Sequence, residues 1–161
     1  MSIPFFFAME NKNAILLLHD GTIFNGTSIG AIGTTDGEIC FNTGLTGYQE
    51  IFTDPSYSGQ LIVMTTSHIG NYGVLEEEAE SNSTSIKGLI CKEFSKVNSR
   101  HNSSSSLQDY LHNSNVVGIS NIDTRELVRH IRDKGAMNAI ISSEISDIDI
   151  LKEKLKIIPS M

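Results

Sequence analysis

Residues Val116 to Ser142 read VVGISNIDTRELVRHIRDKGAMNAIIS, and this stretch decides the fold. It opens on a short apolar run, Val116 to Ile119, of the length a buried strand needs. Asp123 stands where a helix N-cap belongs, with Glu126 at the capping-box position three residues on. Leu127, Val128 and Ile131 recur at the spacing of one helix face. Gly135 supplies the left-handed stop that ends many helices. Asn138 to Ser142 then turns apolar again. Strand, helix, strand is the working unit of a mixed α/β domain.

Working back from there, Ser106 is placed to cap a short helix running through His112, with Leu107 and Leu111 as its i, i+4 apolar pair. Lys87 to Phe94 predicts a strand with Cys91 near its middle. Leu61 to Met64 is apolar at every position, the pattern of a strand buried on both faces. Glu38 to Asn42 predicts another strand, which carries Cys40. Gly26, Gly30, Gly33 and Gly37 mark a turn-rich stretch before it. At the start, Ala14 to Leu18 and Ile23-Phe24 flank His19-Asp20-Gly21-Thr22, where Asp-Gly predicts a type I′ hairpin. Downstream, Asp149 to Ile157 predicts a closing helix with Ile150, Leu151, Leu155 and Ile158 inward. Strands outnumber helices, and the helices come late.

The 161 residues carry 12 Lys and Arg against 19 Asp and Glu, a net charge of -7. That balance excludes broad binding to nucleic acid or to an anionic membrane. Hydrophobic content of 39% and charged content of 19% are those of a folded protein, not a disordered one. No repeat or internal linker breaks the chain, so residues 1–161 are expected to form a single domain. Two isolated cysteines give neither a disulfide framework nor metal-ligand spacing, and reduced thiols in a cytoplasmic protein are expected. Met1 to Met9 lacks the basic flank and long apolar core of a signal peptide or membrane span.

No nucleophile elbow, paired-histidine zinc spacing, P-loop or dinucleotide fingerprint occurs. A small hydrolase working through Ser56 or His68 therefore lacks its machinery. What remains is the dense segment Phe41 to Gln60, FNTGLTGYQEIFTDPSYSGQ. It is rich in hydroxyls, with Pro55 fixing a turn and Asp54 able to bond the amides beyond it. Such a segment either presents Ser56 to a small polar ligand or merely satisfies its own polar groups. Tyr48, Ile51, Phe52 and Tyr57 are too large and apolar for a solvated linker. With Tyr72 they are expected to form a solvent-facing docking patch. Arg125, Arg129 and Arg132 fall at i, i+4, i+7 as a basic stripe that faces either solvent or an acidic partner, with Arg129 and Asp133 spaced to pair.

That dense segment resembles the small chain of glutamine-dependent carbamoyl-phosphate synthase. So do Ser67-His68-Ile69-Gly70-Asn71-Tyr72-Gly73, Gly118 to Arg125, and Leu127 to Ala136. The blocks follow in family order from about Ala14 to Ser142. The resemblance implies a swivelling β/β/α three-layer domain with mixed sheets. It implies the amino-terminal domain of a small subunit that hydrolyses glutamine and passes ammonia through a tunnel to a large subunit. That large subunit consumes ATP with Mg and bicarbonate, for arginine and pyrimidine biosynthesis. The catalytic residues of the family lie in a carboxy-terminal amidotransferase domain absent from this sequence. This stretch is therefore expected to be part of a ligase while not catalytic alone, and to be a truncated piece rather than a free-standing interaction module.

By the same resemblance Ser56, the serine of Thr53-Asp54-Pro55-Ser56, is the substrate-binding residue that reaches glutamine. No catalytic residue, metal ligand or cofactor is expected here. The implied partners are glutamine, the amidotransferase domain and the large subunit. Thr66-Ser67 departs from the family's Tyr-Pro pair, which bears on that loop's geometry.

Overall fold

The computed structural model describes residues 12–44, 48–70, 84–95 and 106–159. Aliphatic Asn13–Leu18 (β1) turns back through Asp20-Gly21 into Ile23–Gly30 (β2), pairing Leu17 with Ile23. The turn is not the two-residue type I′ expected. Only Gly21 has positive φ, at 93°, and the amide of Leu18 reaches the Thr22 carbonyl at 2.9 Å. One left-handed residue relieves the twist, so Asp20 stays on the ordinary side of φ.

Thr34–Asn42 (β3), Gln60–Met64 (β4), Gly88–Ile90 (β6) and Val117–Ser120 (β8) lie parallel in the order β3-β4-β6-β8. Met137–Ser142 (β9) pairs antiparallel with β3 on one side and β1 on the other. The sheet therefore closes into a barrel, β1-β2-β8-β6-β4-β3-β9. The domain is mixed α/β with helices late in the chain, but the expected layering gives way to a ring because β9 spends both its edges on pairing. His68–Ile69 (β5) and Glu93–Phe94 (β7) form a separate two-stranded patch. The single strand expected over Lys87 to Phe94 is thus broken at Cys91.

Alternation along the strands divides the core in three. Leu16, Leu61, Val63, Ile90, Ile119 and Ile141 fill the barrel. Thr124–Lys134 (α3) lays Leu127, Val128 and Ile131 against that interior. Asp123 caps it, accepting from the Glu126 amide at 3.0 Å, and Gly135 ends it at φ 89°.

Outside, Tyr48–Thr53 (α1) and Leu107–Asn113 (α2) cover Ile62, Met64 and Leu89. Ile148–Ile157 (α4) covers Leu17 and Ile140 with Leu151 and Leu155. Ile150 turns outward instead, at 48% exposure, because it lies off the Leu151–Leu155 stripe. Each such aliphatic side chain removed from water contributes about 1.5–3 kcal/mol.

Of the glycines in the expected turn-rich stretch, Gly33 lies in the bend between β2 and β3, while two others have another task. Gly26 and Gly37 lie within strands, where an added Cβ would stand 2.2 Å from the Ser120 carbonyl oxygen and 2.4 Å from that of Gly59. Among the described residues no helix is long and apolar enough to cross a membrane.

Candidate functional site

The dense segment folds against the outer face of the parallel β3–β4 pair. Tyr48 and Phe52, one turn apart on α1, stack at 5.8 Å between centroids and are both buried. Ile51 and Tyr57 are partly buried against the same cluster. The solvent-facing patch expected from these four does not form, because α1 turns its aromatics onto Ile62 and Met64. Tyr72 lies outside the described residues.

Beyond α1 a single 3₁₀ turn, Pro55–Tyr57, carries Ser56. Asp54 accepts the Ser56 amide at 2.9 Å, and the Asp54 carbonyl accepts the Tyr57 amide at 3.1 Å. Pro55 fits the first position because it has no N–H to leave unsatisfied. The turn is pinned behind by Ser85, whose amide donates to the Phe52 carbonyl at 2.7 Å and whose carbonyl accepts from Gly59 at 3.3 Å. Ser56 itself is exposed, and its hydroxyl makes no hydrogen bond among the described residues. A rigid backbone thus presents a free donor and acceptor to solvent.

Beside it runs a polar row that sequence reading did not single out. Asn42 Nδ2 donates to the Tyr57 hydroxyl at 3.1 Å, and Asn42 Oδ1 accepts from Gly44 at 2.7 Å. Cys40 Sγ donates to Gln60 Oε1 at 3.3 Å, and Gln60 Nε2 donates to Glu38 Oε1 at 3.2 Å. Burial, assisted by the Glu38 carboxylate, pushes the Cys40 thiol up to about 11. Burial also raises the Cys91 thiol, deep in the α1–α2 cluster. Both cysteines are free, and neither is poised as a nucleophile. The period-two spacing of Glu38, Cys40 and Asn42 was the available signal for this row.

Thr66 and Ser67 form a bend between β4 and β5, with Ser67 exposed. His68 Nδ1 lies 3.0 Å from Glu93 Oε2, and both side chains are more than half exposed. Arg125, Arg129 and Arg132 all face solvent on α3. Arg132 sits over the Phe41 ring at 5.1 Å, and no ion pair joins Arg129 to Asp133. His130, between them, reaches Asp20 Oδ2 on the β1–β2 turn at 2.5 Å. Burial alone would raise the Asp20 carboxyl. The amide and hydroxyl of Thr22, together with His130, outweigh it and hold that carboxyl below its ordinary 3.8. No three His, Cys, Asp or Glu side chains gather as a metal would require among the described residues.

Residues 16–141 match the family described as carbamoyl-phosphate synthase small chain, CPSase domain. This chain belongs to that family. The small chain of Rhodopirellula baltica is 49% identical over 150 residues, covering 93% of this chain and 39% of the relative. The small chain of Aquifex aeolicus is 50% identical over 150 residues, covering 93% of this chain and 40% of the relative. That of Vibrio vulnificus is 51% identical over 131 residues, covering 81% and 35%. The domain thus spans some 40% of the length of the small chains it matches. An aminopeptidase from Aneurinibacillus sp. strain AM-1 superposes with a TM-score of 0.41 at 14% identity, covering 83% of this chain and 30% of that one. That likeness is too loose to bear on function.

Proposed function

We propose that this domain is the amino-terminal part of the glutamine-hydrolysing small subunit of a carbamoyl-phosphate synthase. In this reading it supplies one wall of the glutamine pocket and part of the interface with the large, ATP- and Mg-using subunit. The observation that carries it is Ser56: exposed, unbonded at its hydroxyl, and held on a turn fixed by the Asp54 carboxylate and carbonyl and by Ser85. A serine so placed hydrogen-bonds the polar end of a small ligand without moving.

The chemistry itself belongs to the amidotransferase domain, and ammonia passes on to the large subunit in the cytoplasm for arginine and pyrimidine synthesis. The basic face of α3 is a further candidate contact for an acidic surface of the large subunit.

Steady-state glutamine hydrolysis by the full-length small subunit tests the reading. Ser56→Ala should raise KM for glutamine more than it lowers kcat, because a contact made equally in ground and transition states is lost. The 161-residue chain alone should release no ammonia above background. A large fall in kcat at unchanged KM would remove Ser56 from the pocket wall.

A further inference from the structure

We infer that Asn42 is a positioning residue for Ser56: its one side-chain amide grips the chain on both sides of that serine and fixes where the free hydroxyl stands. This rests on the reading above only in taking the ligand to be glutamine.

Asn42 is the last residue of β3, half-buried and paired with Met64 in the β3–β4 ladder. Its Oδ1 accepts from the Gly44 amide at 2.7 Å, and its Nδ2 donates to the Tyr57 hydroxyl at 3.1 Å. A backbone N–H only donates, so the Gly44 bond settles which way the Asn42 amide faces, and the Tyr57 oxygen is the acceptor. Gly44 stands where the chain leaves β3, and Tyr57 directly follows Ser56. The backbone carbonyl of Asn42 is engaged as well. It accepts from the Thr65 amide at 3.1 Å and from the Thr65 hydroxyl at 3.2 Å. The grip is thus anchored in the sheet itself.

Ser56 has no tether of its own at the hydroxyl, so its neighbours set its place. Asp54 and Ser85 shape the turn from the α1 side. Among the described residues the Tyr57 hydroxyl is the side-chain link from that turn to β3. Gln60, bonded to Glu38 and Cys40, lies beyond Gly59, whose φ of 77° marks the change of direction into β4. Without the Asn42 bond the Tyr57 ring still packs on the α1–α2 cluster, but the turn is free to pivot on it. A hydroxyl that wanders must be ordered again at each binding event, and that cost falls on affinity rather than on the chemical step.

Kinetics and hydrogen–deuterium exchange on the full-length small subunit test the role together. Asn42→Ala should raise KM for glutamine about two- to tenfold, the worth of a hydrogen bond, with kcat within about twofold of wild type. Asn42→Asp should restore KM, because a carboxylate accepts from the Gly44 amide and the Tyr57 hydroxyl turns to donate to it. Tyr57→Phe, which keeps the ring and its packing, should act as Asn42→Ala does. In a Ser56→Ala background neither Asn42→Ala nor Tyr57→Phe should move KM further, since the contact they position is gone. The amides of residues 56–59 should exchange faster in Asn42→Ala and Tyr57→Phe, and at the wild-type rate in Asn42→Asp. A KM rise of equal size with and without Ser56, or wild-type exchange in both Asn42→Ala and Tyr57→Phe, overturns the positioning role. Faster exchange combined with an indifferent Ser56→Ala supports the grip and overturns the glutamine reading. A raised KM in Ser56→Ala, with Asn42→Ala and Tyr57→Phe silent in both assays, overturns the grip and leaves the glutamine reading standing.

Discussion

A methyl group on Gly26 has nowhere to go: its carbon would meet backbone oxygen of Ser120 at 2.2 Å and two isoleucine side chains at 2.9 Å. Backbone cannot rotate aside as a side chain does. Gly26→Ala should therefore cost about 1–3 kcal/mol as overpacking, read as a lower urea midpoint with unchanged slope. Asp20 gives a second test. Its carboxyl is held below 3.8 in the fold, so its contribution is present above that pH and fades as pH falls through the lowered value. Urea midpoints from pH 6 down to pH 2 should show the gap between the wild type and Asp20→Asn closing on the acid side; a constant gap would mean the shift is not real. At this scale the turn that carries Ser56 was legible, because Asp54 and Pro55, the two residues before it, shape it. Gly26 and Gly37 were misread as turn formers, because what crowds Gly26 lies 94 residues on, at Ser120, whereas Gly33 does stand in the bend between β2 and β3.

Helix caps are local, and their elements were read close to their true bounds. Ser106 accepts from Asp109 at 3.1 Å and Asp123 from Glu126 at 3.0 Å, both as the spacing predicts. What holds α2 on the barrel is not local. The buried Gln108 amide accepts from the Gly30 N–H at 2.9 Å and donates to the Gly30 carbonyl at 3.2 Å. Gly30, at φ 69° and the end of β2, has these groups turned away from its own ladder. Gln108→Leu keeps the volume and abandons both, so it should cost about 1–3 kcal/mol for a buried donor left unmet. Thermal melts of the two proteins measure it, and an unchanged midpoint would show that water replaces the amide. The break at Cys91 was illegible for a related reason: the Cys91 amide still bonds Ile119 of β8, but Glu93 and Phe94 beyond it pair with β5, a partner far back in the chain.

For the whole molecule, the α/β class and the order of elements followed from period and punctuation, while the closed ring did not. Closure depends on β9 finding β1 and β3, partners more than ninety positions away, and no window of sequence records such a pairing. The same ring decides how the molecule breathes. In an open sheet an outer strand frays alone, giving up one ladder. Here a strand such as β4 or β9 leaves only by surrendering two ladders and the interior side chains between them. Its amides should then trade hydrogen for deuterium only when the entire ring comes apart, all at one common slow rate tracking global stability. The two-residue β5–β7 patch stands outside the ring, and its amides should exchange orders of magnitude sooner. Native-state exchange across a urea series would separate the two populations. A graded spread of rates around the barrel would mean that the ring opens at a seam.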